Sequence, residues 1–246
     1  MLAECSQRGG ALERPEPACA LESLAAVGLS RSLVGRAELI DAVESCSMYV
    51  WAALAAELCA LIANDDETRA RLAADGALFA RGYHPEMAAV HRANVARLAD
   101  IVAVHGWPGR SQVGDEAASA AWRILQHAID EPAVMRRLAS VVAAAAARGD
   151  ADPAHVAMLE DRIRVLEGRP QRYGTQYDWD ETLTAMVPMI GVEDPDDLDA
   201  RRAAAGLPPM EWRRPVPTDQ IDHAPASWTE RQRELDAWAR ARGWRT

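Results

Sequence analysis

The sequence predicts a mostly α protein: an antiparallel bundle of about five or six core helices, a small β-hairpin and a C-terminal helical arm. Three observations predict it. Apolar residues recur at helical spacing over several long stretches. Helix-start signals, an aspartate next to or near a proline, stand at Asp130-Glu131-Pro132, Asp152-Pro153 and Asp194-Pro195. The connections between these stretches are short, and short connections make neighbouring helices antiparallel.

Residues 1–35 carry little pattern and contain Gly9-Gly10, Pro15 and Pro17, so they read as an arm with one short helix near Leu21–Val27. From Arg36 to about Asn64 the stripe Leu39, Ile40, Val43, Cys46, Val50, Leu54, Leu58 and Leu61 predicts a long amphipathic helix. Asn64-Asp65-Asp66 reads as its stop and as the cap of a second, short helix that Gly76 ends. Pro85 opens a helix to about His105 with the inner stripe Met87, Val90, Leu98, Ile101 and Val102, and Gly106-Trp107-Pro108-Gly109 breaks it. The next helix, about Asp115–Ile129, is apolar on nearly every side and reads as central. Two further helices end at Gly149 and Gly168. Tyr173–Met189 is rich in aromatic and β-branched residues around Asp180-Glu181, which favours a hairpin or ordered loop. A helix from Asp194-Pro195 closes at Gly206 and Pro208. Ser227-x-x-Glu230 is a capping box for a last amphipathic helix. The expected organisation is an arm at 1–35, a bundle at 36–207, a proline-rich linker at 208–226 and a C-terminal helix at 227–246.

Composition excludes several classes. The 246 residues suffice for one large domain with a real core. A net charge of −10 argues against non-specific binding to nucleic acid or to an anionic membrane. No apolar run is read as approaching the ~20 residues of a span, and no signal peptide is read at the N-terminus. Cys5, Cys19, Cys46 and Cys59 form no C-x-x-C pair, so reduced thiols and a cytoplasmic location are expected. All 27 basic residues are arginine. The absence of lysine removes Schiff-base chemistry and a Walker-type phosphate loop.

Candidate chemistry lies in polar residues on apolar helix faces. His91 and Asn94 sit one turn apart on the inner face of the helix from Pro85, where a polar side chain needs a partner or a polar pocket. Gln126 and His127 stand near the end of the central helix. With an ordinary pKa of ~6.5, His127 suits general acid/base work, and it equally suits bonding to the carbonyls of its own helix end. Arg162 falls on the stripe Leu159, Ile163, Leu166 beside Asp161; it can grip a carboxylate or phosphate bidentately or serve a structural ion pair. Trp107 and Trp179 could wall a pocket or simply pack. Gln171, Tyr173 and Gln176 surround Gly174, a lid over the helix ends or a pin for the bundle. A metal is the minor expectation, with His84, His91 and His127 as its ligands, because the usual His-x-x-x-His and Glu-x-x-His spacings are absent.

Three blocks have a specific order: Gly82-Tyr83-His84-Pro85-x-Met87-x-x-Val90-His91-x-x-Asn94; then His105-Gly106-Trp107-Pro108-Gly109-Arg110-Ser111-x-Val113-Gly114; then Ala121-Trp122-x-x-x-Gln126-His127-Ala128. They are followed by Leu159-x-Asp161-Arg162-Ile163 and Gly168-Arg169-Pro170-Gln171-x-Tyr173-Gly174-Thr175-Gln176. Over roughly 50–210 this order resembles a bacterial domain-of-unknown-function family. The resemblance implies no established activity. It does imply that the polar and aromatic signature residues belong to a pocket. The hairpin after Trp179 looks shortened relative to the family, and the first 35 residues look like an addition.

The functional expectation is a cytoplasmic, metal-free enzyme acting on a small polar or anionic metabolite. His127 and His91 would be its acid/base pair, and hydrolysis, isomerisation and elimination would all fit. Asn94, Trp107, Gln126, Asp161, Arg162, Gln171, Tyr173 and Gln176 would bind substrate, and no cofactor is expected. One alternative is a non-catalytic small-molecule-binding or immunity-type module. Another is an interaction module that docks, or forms a homo-oligomer, through the tryptophan-bearing C-terminal helix (Trp228, Trp238, Trp244).

Overall fold

The computed structural model describes residues 36–79, 82–218 and 220–246. By its contacts the chain divides into a unit at 1–53 and a unit at 54–246. The first contributes only the beginning of helix α1 to the described residues. The expected arm and short helix before Arg36, with Cys5 and Cys19, lie outside them, as do the side chains of Leu39, Ile40, Val43 and Cys46.

Helix α1 spans Arg36–Ala74 without a break, 39 residues. This corrects the expected stop at Asn64-Asp65-Asp66. From Leu54 onward every third or fourth residue is buried: Leu54, Leu58, Ile62, Asp65, Thr68 and Leu72. The helix continues through the triplet because Asp65 and Asp66 find partners across the bundle. Thr68 Oγ1 donates to the Asn64 carbonyl at 2.8 Å, and Asp66 receives the Arg123 guanidinium. The stretch Ser47–Ala74 is long and apolar enough to cross a membrane, which overturns the expectation that no run approaches a span. Part of that apolar surface is the buried stripe that begins at Leu54.

Helix α2 runs Pro85–His105 as predicted, with Pro85 in its first turn and His84 as N-cap, its Nδ1 accepting from the Glu86 amide. Helix α3, Arg110–Gln126, begins earlier and ends earlier than expected and kinks at Gly114 (φ 78°). Its buried residues include Ala117, Ala118, Ala120, Ala121, Ile124 and Leu125, consistent with the central position predicted for it. Helix α4, Pro132–Ala147, is N-capped by Glu131. Asp130, expected as that cap, instead receives Arg92 at 2.7 Å and Arg242 at 3.1 Å. Helix α5, Pro153–Leu166, has the predicted cap, with Asp152 accepting from the Ala154 amide at 2.9 Å. Helices α2 and α3 pack together, as do α4 and α5, and α3 also touches both α4 and α5.

The small sheet is an antiparallel hairpin of β1 (Tyr177–Trp179) and β2 (Met186–Pro188), with Trp179 opposite Met186. Its turn is organised by Asp180, as the sequence located it. The carboxylate accepts from the Thr184 amide, the Thr182 hydroxyl and Arg213, and these hold its pKa well below the usual carboxylate range. A short helix α6 (Leu198–Ala204) follows. The segment expected as a linker is partly woven into the domain: Arg214 bridges to Met186.

The last helix, α7 (Trp228–Ala241), has the predicted cap, Ser227 Oγ accepting from the Glu230 amide at 3.3 Å. It is docked on its own bundle. Trp244, 3% exposed, donates to the Ile129 carbonyl at 2.7 Å and packs under Arg136. Trp228 donates to the Trp179 carbonyl at 3.1 Å, and Arg231 pairs with buried Asp178 at 2.8 Å. Trp244→Ala should therefore destabilise the domain by about 3–5 kcal/mol, the usual cost of truncating a buried tryptophan. Urea denaturation would show it, and a change within about 0.5 kcal/mol would mean that α7 is not part of the folded core.

Candidate functional site

The site begins with one buried carboxylate. Asp65 lies on the inner stripe of α1, 1% exposed. His127, at the C-terminal end of α3, donates from Nδ1 to Asp65 Oδ2 at 2.8 Å. His91, on the inner face of α2, brings Nε2 to 3.1 Å from the same oxygen. The two imidazole rings lie 4.6 Å apart. On its other side His91 Nδ1 meets the Tyr83 hydroxyl. With Nε2 turned to the carboxylate, Nδ1 is the lone-pair side and accepts from the phenol. One oxygen thus ties together three helices and the segment before α2.

The electrostatics follow from burial. Burial alone would raise the Asp65 carboxyl, but the two imidazoles outweigh it and hold the pKa well below the ordinary range. Burial pushes the His127 pKa down, with Asp65 opposing, so the ring is neutral near pH 7. Burial raises the Tyr83 pKa, helped by the charges of Asp130 and Asp65, so its phenol stays protonated. Three polar atoms are buried here without a hydrogen bond of good geometry among the described residues, Asp65 Oδ1, His91 Nε2 and Gln126 Nε2, so the His91 contact with Asp65 is one of charge proximity.

Tyr83 forms part of the wall of a cavity of about 700 Å³. Arg162 of α5, the hairpin residues Asp178 and Trp179, and Trp238 of α7 form other parts. Arg162 stands out chemically. Its Nε is buried without a partner, and among the described residues no ion pair neutralises the guanidinium; burial lowers its pKa to about 10. The side chain as a whole is half-buried, and an unpaired charge so placed is costly. Tyr83 belongs both to this cavity and, through His91, to the Asp65 group.

The structure brings together some of the predicted site residues and separates others. His91 and His127 meet at Asp65, and His91 reaches Tyr83; Tyr83, Arg162 and Gln176 line the cavity, whereas His91 and His127 stand behind its wall. Asn94 is buried and donates to the Leu61 carbonyl at 3.2 Å, joining α2 to α1. Asp161 accepts from the amides of Arg172, Tyr173 and Thr175 and from the Thr175 hydroxyl. Gln171 donates to the carbonyls of Gln176 and Met189 and accepts from the Gln176 amide. Asp161 and Gln171 thus pin the loop 171–176 with their own polar atoms, which is the bracing role rather than the lid. Tyr173 packs on Ala157, Ala205 and Leu207. Gly174 has a φ of +65°, which calls for glycine; a Cβ there would also press on the flexible end of Met210 at 2.8 Å, which can give way. Trp107 lines a second, smaller cavity with Trp122 and His155. Trp122 stacks on His155 with ring centroids 3.9 Å apart.

Residues 52–218 match a family of unknown function, DUF6624. The chain belongs to this family. Asp65, Tyr83, His91, His127 and Arg162 all lie inside the matched stretch. Helix α7, which carries Trp238 and closes one wall of the cavity, lies beyond it. No curated protein and no solved structure matches this DUF6624 member.

For a metal ion, Asp65, His91 and His127 form a group whose ligand atoms all lie within 4.8 Å of one another. His84, named in the sequence-derived ligand set, is instead the cap of α2. Asp65 was missed because Asn64-Asp65-Asp66 looks like a helix stop. The available signal was its register: three residues after Ile62, it continues the Leu54, Leu58, Ile62 stripe.

The pKa shifts predict how stability depends on pH. His127 and His155 are both lowered when folded, and so is Asp65. Below about pH 6.5 the unfolded chain binds more protons at the two imidazoles, and below about pH 4 more at Asp65. Stability should be level above about pH 7, decline as pH falls through 6.5, and decline again below 4. Urea midpoints measured from pH 8 to pH 4 would show this, and His127→Gln should reduce the first decline without abolishing it. A stability that rises on going from pH 7 to 5.5 would contradict the assignment.

Proposed function

We propose that this protein is a metal-free enzyme that applies histidine acid/base chemistry to a small polar or anionic metabolite. The observation that supports the reading best is the buried Asp65 carboxylate bonded to His127 Nδ1 at 2.8 Å. That bond fixes the tautomer, leaving the lone pair on Nε2. A neutral imidazole near pH 7 can remove a substrate proton through Nε2, and the imidazolium so formed is stabilised by Asp65, which stays ionised. His91 contacts the same oxygen and accepts from the Tyr83 phenol, whose residue stands at the cavity wall. Arg162 supplies the positive charge for an anionic substrate group. Proton removal of this kind serves hydrolysis, isomerisation and elimination alike.

A non-catalytic binding module would use the cavity and Arg162 and leave the paired histidines only the structural task of holding Asp65. A docking surface built from Trp228, Trp238 and Trp244 has no support in the fold, since Trp228 and Trp244 donate to carbonyls of their own chain and Trp238 packs edge-on against Tyr83. Deleting the C-terminal helix would also open the cavity, so that deletion does not separate docking from ligand binding.

The test is depletion of a metabolite from a small-molecule extract, followed by mass spectrometry. The wild-type protein should consume at least one compound. His127→Gln should lose about 10²–10⁴ in rate while its circular dichroism is unchanged. Activity that survives in a folded His127→Gln protein would remove the acid/base assignment. A native mass spectrum showing a metal adduct that disappears in Asp65→Asn, His91→Ala and His127→Ala variants would replace the metal-free reading with a metal-dependent one.

A further inference from the structure

The cavity of about 700 Å³ contains one positive charge that no described residue answers. Its other charged walls have partners. Asp178 is matched by Arg231 at 2.8 Å, and Arg245 by Asp236 at 2.8 Å. Arg69, Glu230, Glu234 and His223 each have an interaction of their own. Arg162 alone has a buried Nε without a partner and no ion pair among the described residues. The same cavity holds a second unanswered donor, Trp238 Nε1, which is buried without an acceptor, its ring edge-on to Tyr83 with centroids 6.2 Å apart. Beside these donors the cavity wall includes the apolar residues Leu78, Ile129, Trp179, Met189 and Leu235.

One unpaired guanidinium calls for one negative charge. A phosphate monoester carries about −1.5 to −2 at neutral pH, more than Arg162 alone can neutralise, and it would face the carboxylates of Asp178, Glu230 and Glu234 along the same wall. A carboxylate carries a single charge and matches the planar fork of arginine bidentately. The apolar wall calls for a hydrocarbon body attached to it.

We infer that the cavity binds an organic monocarboxylate with an aromatic or branched apolar body, its carboxylate on Arg162 and an oxygen within reach of the Trp238 indole N–H. This deepens the enzymatic reading above by naming the substrate class, and it rests on that reading only in taking the same cavity as the substrate site. It also accounts for an unpaired buried cation persisting in the fold: the charge that completes the site arrives with the ligand.

The experiment is calorimetric titration of the full chain with 3-phenylpropionate and 4-methylpentanoate, set against 3-phenylpropanol and inorganic phosphate. At least one carboxylate should bind about tenfold or more tightly than either comparator, as expected for a charge-assisted hydrogen-bonded pair. Arg162→Met should lower that affinity by about tenfold or more and should raise the melting temperature, because it removes a buried charge without a partner. A structural arginine would do the reverse, so a lowered melting temperature with unchanged carboxylate binding would overturn the inference. If Arg162→Met fails to fold, the wild-type Trp238 indole N–H resonance decides: it should shift with the carboxylate and stay in place with the alcohol. Phosphate binding as tightly as the carboxylates, equal binding of the alcohol, or binding of neither carboxylate would each overturn the proposal. The two readings fail separately. Carboxylate binding that His127→Gln leaves intact, in a protein that converts nothing, would sink the enzyme and keep the site. Conversion that depends on His127, in a protein that ignores carboxylates, would do the opposite.

Discussion

A single buried carboxylate oxygen organises the first half of this bundle. Asp65 Oδ2 receives His127 from the end of α3 and lies 3.1 Å from His91 of α2, while Asp65 itself stands on the inner stripe of α1. Burying a carboxylate is unfavourable unless donors replace the lost water. Here the donors come from two other helices, so the ionised carboxylate exists only when all three are in register. The same requirement explains why α1 runs through Asn64-Asp65-Asp66, and why two imidazoles sit 4.6 Å apart inside the bundle.

The second half is organised by a comparable device. Asp161 of α5 gathers the amides of Arg172, Tyr173 and Thr175, and Gln171 closes the loop from the other side. Arg202 of α6, 2% exposed, adds hydrogen bonds to the carbonyls of Tyr173 and Pro208. The loop is thereby rigid, and the hairpin that leaves it at Tyr177 is held in place. The hairpin in turn receives α7 through Asp178 and the Trp179 carbonyl. A rigid loop, a hairpin and a docked helix make three walls of the cavity. Arg162 follows Asp161 in α5, so the residue that braces the loop and the one that charges the cavity are chain neighbours with opposite tasks.

Much of this was legible in the sequence. The mostly α class, the helix from Pro85, the caps at Asp152 and Ser227, the turn at Asp180 and the buried α3 all follow from periodicity and capping chemistry, which act over a few residues. His91, His127 and Arg162 could be singled out because a polar group on an apolar face is anomalous wherever the helix goes. The partition of the remaining polar residues was not legible. Asn94, Asp161 and Gln171 have the composition of a ligand site and are bonded to backbone. Only the positions of distant amides and carbonyls distinguish bracing from binding.

The sequence by itself determined the helices from Pro85 onward, their order, and several of the side chains that are polar on an apolar face, His91, His127 and Arg162 among them. The tertiary structure decided which of those polar groups find partners. Asp65 acquired two histidines 26 and 62 residues away, whereas Arg162 acquired no counter-charge among the described residues. Periodicity is local, but the satisfaction of a buried charge depends on groups brought near by packing. The site therefore emerges only when the helices are assembled.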